Sequence, residues 1–140
     1  MPKAPSRWWL LWLALALVSF GAAAADAARA KRARQREAAY QSALRSYSEV
    51  LLPGMSRTQV EEFLRRGDKP FRQMCCMGPP KNAWDDLIKI GEESAPWYCS
   101  QHNVYVGFEF ISSGTHRFAE AHDTDSLKRV TLFHWFEGCL

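Results

Sequence analysis

The chain has 140 residues and a mass of 16.0 kDa, which is room for one domain rather than two. Hydrophobic residues make up 47% and aromatic residues 13%, so the composition excludes an intrinsically disordered chain. The formal charge of +3 is uneven: residues 1–37 carry seven of the 18 Lys and Arg but only two of the 15 acids. Residues 38–140 are therefore weakly acidic, which argues against nucleic acid as a partner, and no compositional feature indicates an enzyme class.

Residues 1–25 have the pattern of a secretory signal peptide or of a signal-anchor transmembrane helix. Two bases precede an apolar run that ends in four alanines, and the A-x-A spacing permits cleavage near Ala24 or Ala25. Without cleavage, the 18 residues from 8 to 25 span about 27 Å as a helix, the lower limit for crossing a bilayer. The residues predicted to contact the lipid bilayer are Trp8, Trp9, Leu10, Leu11, Trp12, Leu13, Leu15, Leu17, Val18 and Phe20.

The orientation of this segment depends on two opposing signals. Five basic residues between 29 and 36 follow the apolar run, and bases in that place tend to hold the flanking segment in the cytoplasm. An even number of cysteines in a small chain favours an oxidising compartment instead. We therefore predict export, with the protein either anchored in the inner membrane and facing the periplasm or the outside, or secreted after cleavage.

Residues 26–52 are predicted to form one long helix, because strong helix formers dominate and Gly and Pro are absent. Residues 26–39 have no apolar stripe and are interpreted as a basic helical stalk, either solvated or in contact with anionic lipid headgroups. From Tyr40 onward apolar residues recur at helical spacing, so this part should dock on a domain that comprises residues 40–140. Pro53-Gly54 ends the helix.

A second helix, from Arg57 to Arg66, is predicted from its start signal. Ser56 is a favourable N-cap, and Gln59 stands three residues later, where its side chain reaches back to the Ser56 backbone as a capping box requires. Apolar and charged residues then separate onto two faces, and Gly67 supplies the stop.

Alternating apolar residues predict three strands, at 87–90, 104–110 and 130–136, and residues 71–77 fit a fourth strand at an edge. The polar segment 112–126 is predicted to be a long mobile loop. The fold class is therefore α+β: an N-terminal transmembrane or signal helix, then a long and a short helix packed in two layers on a three- or four-stranded antiparallel sheet.

The segment Gly54-Met55-Ser56 follows one helix and starts another that leads into strands. In this it resembles the small envelope proteins of the BamE/SmpA type, and the resemblance covers residues 40–140 in element order. It implies the two-layer fold and a role in envelope assembly. The chain departs from the family pattern because it has no lipidation cysteine after the apolar run, has no Gly-x-Pro turn after the second helix, and adds four cysteines.

Those cysteines predict two disulfide bonds in a small exported chain. A bridge between the adjacent Cys75 and Cys76 would close a strained eight-membered ring. Antiparallel pairing of the last two strands would bring Cys99 and Cys139 to one end of the sheet. We therefore expect Cys75 and Cys76 each to bond to Cys99 or Cys139, with the pairing left open.

Two other interpretations of the cysteines remain open. The thiols, together with His102 or His134, would form a metal site, although paired C-x-x-C ligands are absent from the sequence. The second interpretation is a redox-active thiol pair. Such pairs usually stand at a helix start, where the helix dipole lowers the thiol pKa, and no helix is predicted to start at Cys75.

The remaining candidate residues are interpreted as structural. Adjacent Glu92 and Glu93 point to opposite faces of a strand, Trp97 and Tyr98 fit packing in a core or loop, and His134 fits a core position. The polar loop is interpreted as solvated and holds His116, His122, Asp123 and Asp125.

The sequence thus predicts a non-enzymatic envelope protein that acts as an interaction or assembly module and uses no cofactor, catalytic residue or metal. Its expected partners are the lipid bilayer and another envelope protein. The alternative is a thiol-redox or metal-binding protein that uses the four cysteines.

Overall fold

A computed structural model describes residues 7–75, 84–112 and 120–140. The chain divides between Ala39 and Tyr40 into two compact units. Helix α1, Arg7–Ser48, runs through this boundary.

In the first unit, α1 is helical from Arg7, and all side chains from Ala25 to Ala39 are exposed. An ion pair within this stretch joins Arg29 to Asp26, whose side chains are about three-quarters exposed. Trp8 and Trp12 are also exposed, and the other side chains assigned to the bilayer lie outside those that the structure describes.

In the part of the chain that the structure describes, no helix is both long enough and apolar enough to cross a membrane.

The second unit begins with the last turns of α1, which end at Ser48 rather than at the predicted Leu52. Their apolar stripe packs as expected, because Tyr40 is buried and Ala43 and Tyr47 lie against the core. The Tyr47 ring meets Phe108 edge-on, with centroids 5.5 Å apart. The helix therefore covers one face of the sheet.

Helix α2, Arg57–Arg66, has the predicted bounds and start. The backbone N–H of Ser56 donates to Gln59 Oε1 at 2.9 Å, and the backbone N–H of Gln59 donates to Ser56 Oγ at 3.3 Å. The residue in the left-handed conformation after the helix is Asp68, at φ 50°, and not Gly67. A side-chain cap, rather than hydrophobicity alone, thus fixes where this helix begins.

The sheet has four antiparallel strands in the order β1-β2-β3-β4. The three predicted strands and the edge strand are all present. The strands predicted at 87–90, 104–110 and 130–136 are each longer than expected. The strands are β1 Arg72–Cys75, β2 Trp84–Glu93, β3 Gln101–Ile111 and β4 Ser126–Glu137.

The core lies between the helices and this sheet, as a two-layer α+β fold requires. Its eight buried members are Leu51, Val60, Leu64, Ile88, Val106, Phe108, Phe110 and Leu127.

The register between β2 and β3 shifts between Lys89 and Gly91. At this bulge α1 comes close to the sheet, since a Cβ on Gly91 would lie 2.6 Å from the ring of Tyr40. A bulge exchanges the faces on which the following residues lie. Glu93 therefore points to the face of its partner His102.

Candidate functional site

Two groups of polar side chains occupy opposite ends of the sheet. One group surrounds Arg57, near the point where β3 finishes at Ile111. The other lies where β2 ends at Glu93, β3 begins at Gln101 and β4 ends at Glu137. This second end, with loop 94–100 and residues 138–140, is called the disulfide end below.

A disulfide bond joins Cys99 to Cys139 with an S–S distance of 2.04 Å. The bond forms because Cys99 comes just before Gln101 and Cys139 just after Glu137, and those two strand residues are paired in the sheet. This placement agrees with the sequence analysis, which brought both cysteines to one end of the sheet.

The predicted pairing of Cys99 and Cys139 with Cys75 or Cys76 is wrong. Cys75 pairs with Trp84, the first residue of β2, whereas Cys99 follows the last residue of that strand. Ten residues of extended chain span about 30 Å, far beyond the reach of a disulfide bond. Cys75 is itself disulfide-bonded, and the prediction for Cys76 lies outside the described residues.

Hydrogen bonds hold the C-terminal segment against the loop. Ser100 Oγ donates to the Glu137 carbonyl at 2.8 Å, and the Leu140 N–H donates to the Tyr98 carbonyl at 2.9 Å. Gly138 has φ 61°, and a Cβ there would collide with the Ser100 side chain. Glycine is therefore required for the chain to turn back onto the loop.

The carboxylate at the end of β4 is also held from β3. Tyr105 Oη donates to Glu137 Oε1 at 2.8 Å. This hydrogen bond, with one from Asn103, lowers the pKa of Glu137 below its usual range.

Large apolar side chains at the disulfide end face solvent. Trp97 is 90% exposed, and Tyr98, which meets Trp97 edge-on at 5.8 Å, is 47% exposed. The interpretation of these two as packing residues is therefore wrong for Trp97 and holds only in part for Tyr98. The exposed apolar side chains at the disulfide end are named the aromatic patch: Trp97, Tyr98, Phe136 and Leu140.

A cluster of three ligand-type side chains lies next to this patch, on the ends of β2, β3 and β4. Glu93 Oε2 is 3.7 Å from His102 Nδ1 and 4.0 Å from His134 Nδ1. The His102 ring stacks on Phe136 with centroids 4.2 Å apart. One ligand atom from each of the three residues lies within 4.8 Å of the others.

The prediction that His134 lies in the core is wrong, because its side chain is 42% exposed. The three residues are named the His–Glu cluster: Glu93, His102 and His134. His102 and His134 were candidate metal ligands in the sequence, together with the thiols, but Glu93 was not. The bulge that turns Glu93 toward His102 leaves only one trace in the sequence, a glycine inside a strand.

At the opposite end, Arg57 is the first residue of α2 and is buried. Its Nη1 donates to Asp86 Oδ1 at 2.7 Å, its Nη2 lies 3.4 Å from Asp125 Oδ2, and its guanidinium lies 3.9 Å above the Phe110 ring. It also donates to the Trp84 carbonyl. Burial raises the pKa of Asp86 to about 7, against the opposing effect of Arg57.

The same contacts correct the interpretation of the polar loop. Asp125 is buried, and its Oδ2 also accepts from the His122 backbone N–H at 3.0 Å. The Asp123 carbonyl accepts from Thr58 Oγ1 at 3.3 Å. The interpretation as solvated residues is therefore wrong for Asp125, whereas Asp123 is exposed and His122 is half-buried. The backbone of this segment is nevertheless bonded to the start of α2, and His116 lies outside the described residues.

The two ends offer different chemistry. The Arg57 group is buried, and its charges are paired with one another, which is typical of a group that stabilises the fold and does not bind a ligand. The disulfide end exposes aromatic surface and, beside it, the partly exposed His–Glu cluster. No family model, no curated protein and no solved structure matches this chain. The candidate functional site is therefore assigned from geometry alone, to the disulfide end.

Proposed function

We propose that this protein is exported and acts as a non-enzymatic interaction or assembly module at the cell envelope, with the disulfide end as its recognition surface. The observation that carries the proposal is the aromatic patch. Trp97 and Leu140 are almost fully exposed, yet both sit on backbone fixed by the Cys99–Cys139 bond. Rigid, exposed aromatic residues are typical of the centres of protein interfaces.

Export is supported by the disulfide bond. Bonds of this kind persist in the periplasm and outside the cell and are rare in the cytosol. The apolar pattern of residues 1–25 supplies the export signal, either as a cleaved signal peptide or as an uncleaved transmembrane anchor in the inner membrane. Bases between 29 and 36 are all exposed, which suits contact with anionic lipid headgroups.

The proposed partner of the patch is another envelope protein that presents an apolar surface. Protein is favoured over lipid at this end because residues 94–102 and 130–140 contain no Lys or Arg, and Arg72, which reaches this end from β1, lies 3.8 Å from the Glu137 carboxylate. A surface that binds anionic lipid needs bases that are free to meet it. The resemblance to BamE/SmpA-type proteins adds an expected role in assembly.

A photo-crosslinking experiment tests the interaction. A photoreactive amino acid is placed at position 97 in the full chain, expressed in cells that export it. We expect a defined crosslinked band with a second envelope protein. The matched control places the same group at Ile111, which is 55% exposed at the opposite end of β3. Equal crosslinking from both positions, or none from position 97, contradicts the proposal.

Export is tested separately with a C-terminal reporter that is active only outside the cytoplasm. We expect activity from that fusion and none from a reporter that requires the cytoplasm. The N-terminal sequence of the recovered protein then distinguishes cleavage near Ala24 or Ala25 from an uncleaved anchor. Activity of the cytoplasmic reporter alone would contradict export.

The thiol-redox alternative has less support, because Cys99 and Cys139 are joined at strand ends and not in a C-x-x-C motif at a helix start. Metal binding is favoured by a different observation, the His–Glu cluster, in which the ligands would be histidines and a carboxylate rather than thiols.

A further inference from the structure

The His–Glu cluster has a spacing that hydrogen bonding does not explain. Glu93 Oε2 is 3.7 Å from His102 Nδ1 and 4.0 Å from His134 Nδ1, and both distances exceed a hydrogen bond. His102 Nε2 is buried and has no hydrogen-bond partner among the residues that the structure describes. Both histidines turn Nδ1 toward Glu93 Oε2, and their rings lie close together, with centroids 5.5 Å apart.

We infer that Glu93, His102 and His134 form a binding site for a divalent transition-metal ion. Zinc lies about 2.0–2.2 Å from histidine nitrogen and carboxylate oxygen, so two ligands at a tetrahedral angle are roughly 3.4 Å apart. The three ligand atoms lie within 4.8 Å of one another, and a bound ion would draw them together. Glu93 supplies Oε2, and the two histidines supply Nδ1.

The backbone holds these ligands in place. Glu93 and His102 are cross-strand partners, and His134 pairs with Val104, two residues along β3 from His102. Stacking on Phe136 fixes the plane of the His102 ring. Ligands on three adjacent strands, beside the Cys99–Cys139 bond, require no folding step before the metal binds.

The ligand set indicates the class of ion. Two imidazoles and one carboxylate suit zinc, cobalt, nickel or copper, whereas calcium and magnesium prefer sites built from oxygen ligands alone. The side chains of Glu93 and His134 are 27% and 42% exposed, so the site opens to solvent. Three protein ligands with an open position are typical of exchangeable or catalytic sites rather than closed structural ones.

The site goes beyond the proposed interaction function and does not depend on it. The only base on β2, Lys89, pairs with Glu92 at 2.9 Å. Glu93 is turned toward the two imidazoles instead, so its carboxylate is placed to act as a ligand.

Titration of the purified full chain with Co²⁺ alone tests the site. The protein is stripped with a chelator and carries no histidine tag. We expect visible absorption of a four- or five-coordinate cobalt centre, its displacement by Zn²⁺ at one equivalent, and no effect of Mg²⁺. Zn²⁺ should also raise the thermal midpoint, because an ion that binds only the folded state stabilises it.

Two variants and one control locate the ligands. His134→Ala and Glu93→Gln alter partly exposed side chains, and each should weaken Zn²⁺ binding at least tenfold, since even outer-shell partners of a metal are worth about 10–100-fold. The control, His122→Ala, removes a histidine at the opposite end and should leave the affinity unchanged. Near-ultraviolet circular dichroism checks that each variant is folded. Absence of cobalt absorption in the wild-type protein, or unchanged affinity in folded His134→Ala and Glu93→Gln, overturns the inference.

Discussion

At the end of the sheet where β3 finishes, Arg57 is joined to Asp86 and Asp125 in the interior, and the helix start is bonded to the start of β4. At the end where β3 begins, a covalent bond between Cys99 and Cys139 closes the sheet, while aromatic rings and His134 face solvent. The first end directs its charges inward, at each other. The second relies on a disulfide bond for closure and leaves its polar and aromatic groups available. Stability is therefore expected to depend most on the first end, and recognition on the second.

The largest effect is expected from Arg57→Ala. Removal of the guanidinium leaves two buried carboxylates without their cation, and breaking a buried ion pair in this way costs about 3–5 kcal/mol. Denaturant unfolding measures the change. The matched control is Arg66→Ala, because Arg66 pairs with Glu62 on the exposed face of the same helix and such pairs contribute about 0.2–1 kcal/mol. Equal losses of unfolding free energy in the two variants would show that the buried ion pairs do not stabilise the fold more than an exposed pair does.

The pH dependence of stability tests the same end. Burial raises the pKa of Asp86 to about 7, above the value of about 3.9 in an unfolded chain, so the folded state binds the proton more tightly between these values. The stabilisation by this proton is complete below about pH 4 and is lost as the pH rises through 7. We expect the free energy of unfolding to fall by up to about 4 kcal/mol over this range because of Asp86.

The matched measurement uses Asp86→Asn, which cannot titrate. Its unfolding free energy should decline less between pH 4 and pH 7 than that of the wild type. The difference between the two curves isolates the contribution of Asp86 from that of every other titrating group. Parallel curves would contradict the raised pKa.

At the disulfide end, Cys99→Ser combined with Cys139→Ser should lower stability by about 2–4 kcal/mol, because the bond closes a loop with a sequence separation of 40. Thermal unfolding of the oxidised wild type and the double variant gives the comparison. Peptide mapping without reduction should recover a Cys99–Cys139 fragment, and recovery of either cysteine joined to Cys75 would overturn the pairing.

The smallest expected effect concerns the start of α2. Ser56→Ala removes the acceptor for the Gln59 N–H and should cost about 0.5–2 kcal/mol. Ser48→Ala is the control, since Ser48 is exposed and bonds only within the last turn of α1. A denaturation midpoint equal to that of the control would show that the cap is not needed.

Local patterns in the sequence were enough to predict the secondary structure. The capping pair Ser56 and Gln59 acts over three residues, and the alternation that predicts β3 is a property of that strand alone. Both signals survive in the fold because tertiary packing agrees with them.

The buried charges and the His–Glu cluster were not predictable in the same way. An arginine in the first turn of a helix is usually solvated, and Arg57 is buried only because Asp86 and Asp125, 29 and 68 residues away, fold onto it. Glu93 faces the histidines only because of the register shift at Gly91. Both features arise from pairings distant in sequence, which a single amino-acid sequence does not reveal.

The position of the Cys99–Cys139 bond has a mechanical consequence. When the two ends of the chain are pulled apart and the strands have separated, the force passes from residue 139 to residue 99 through the disulfide bond. The chain between these two residues then carries no force. That segment includes all of β3 and β4. Its 40 residues would otherwise extend by about 130 Å. A molecule held at its N-terminus and pulled at its C-terminal end would thus reach its limit at a length about 130 Å shorter than the same chain without this bond.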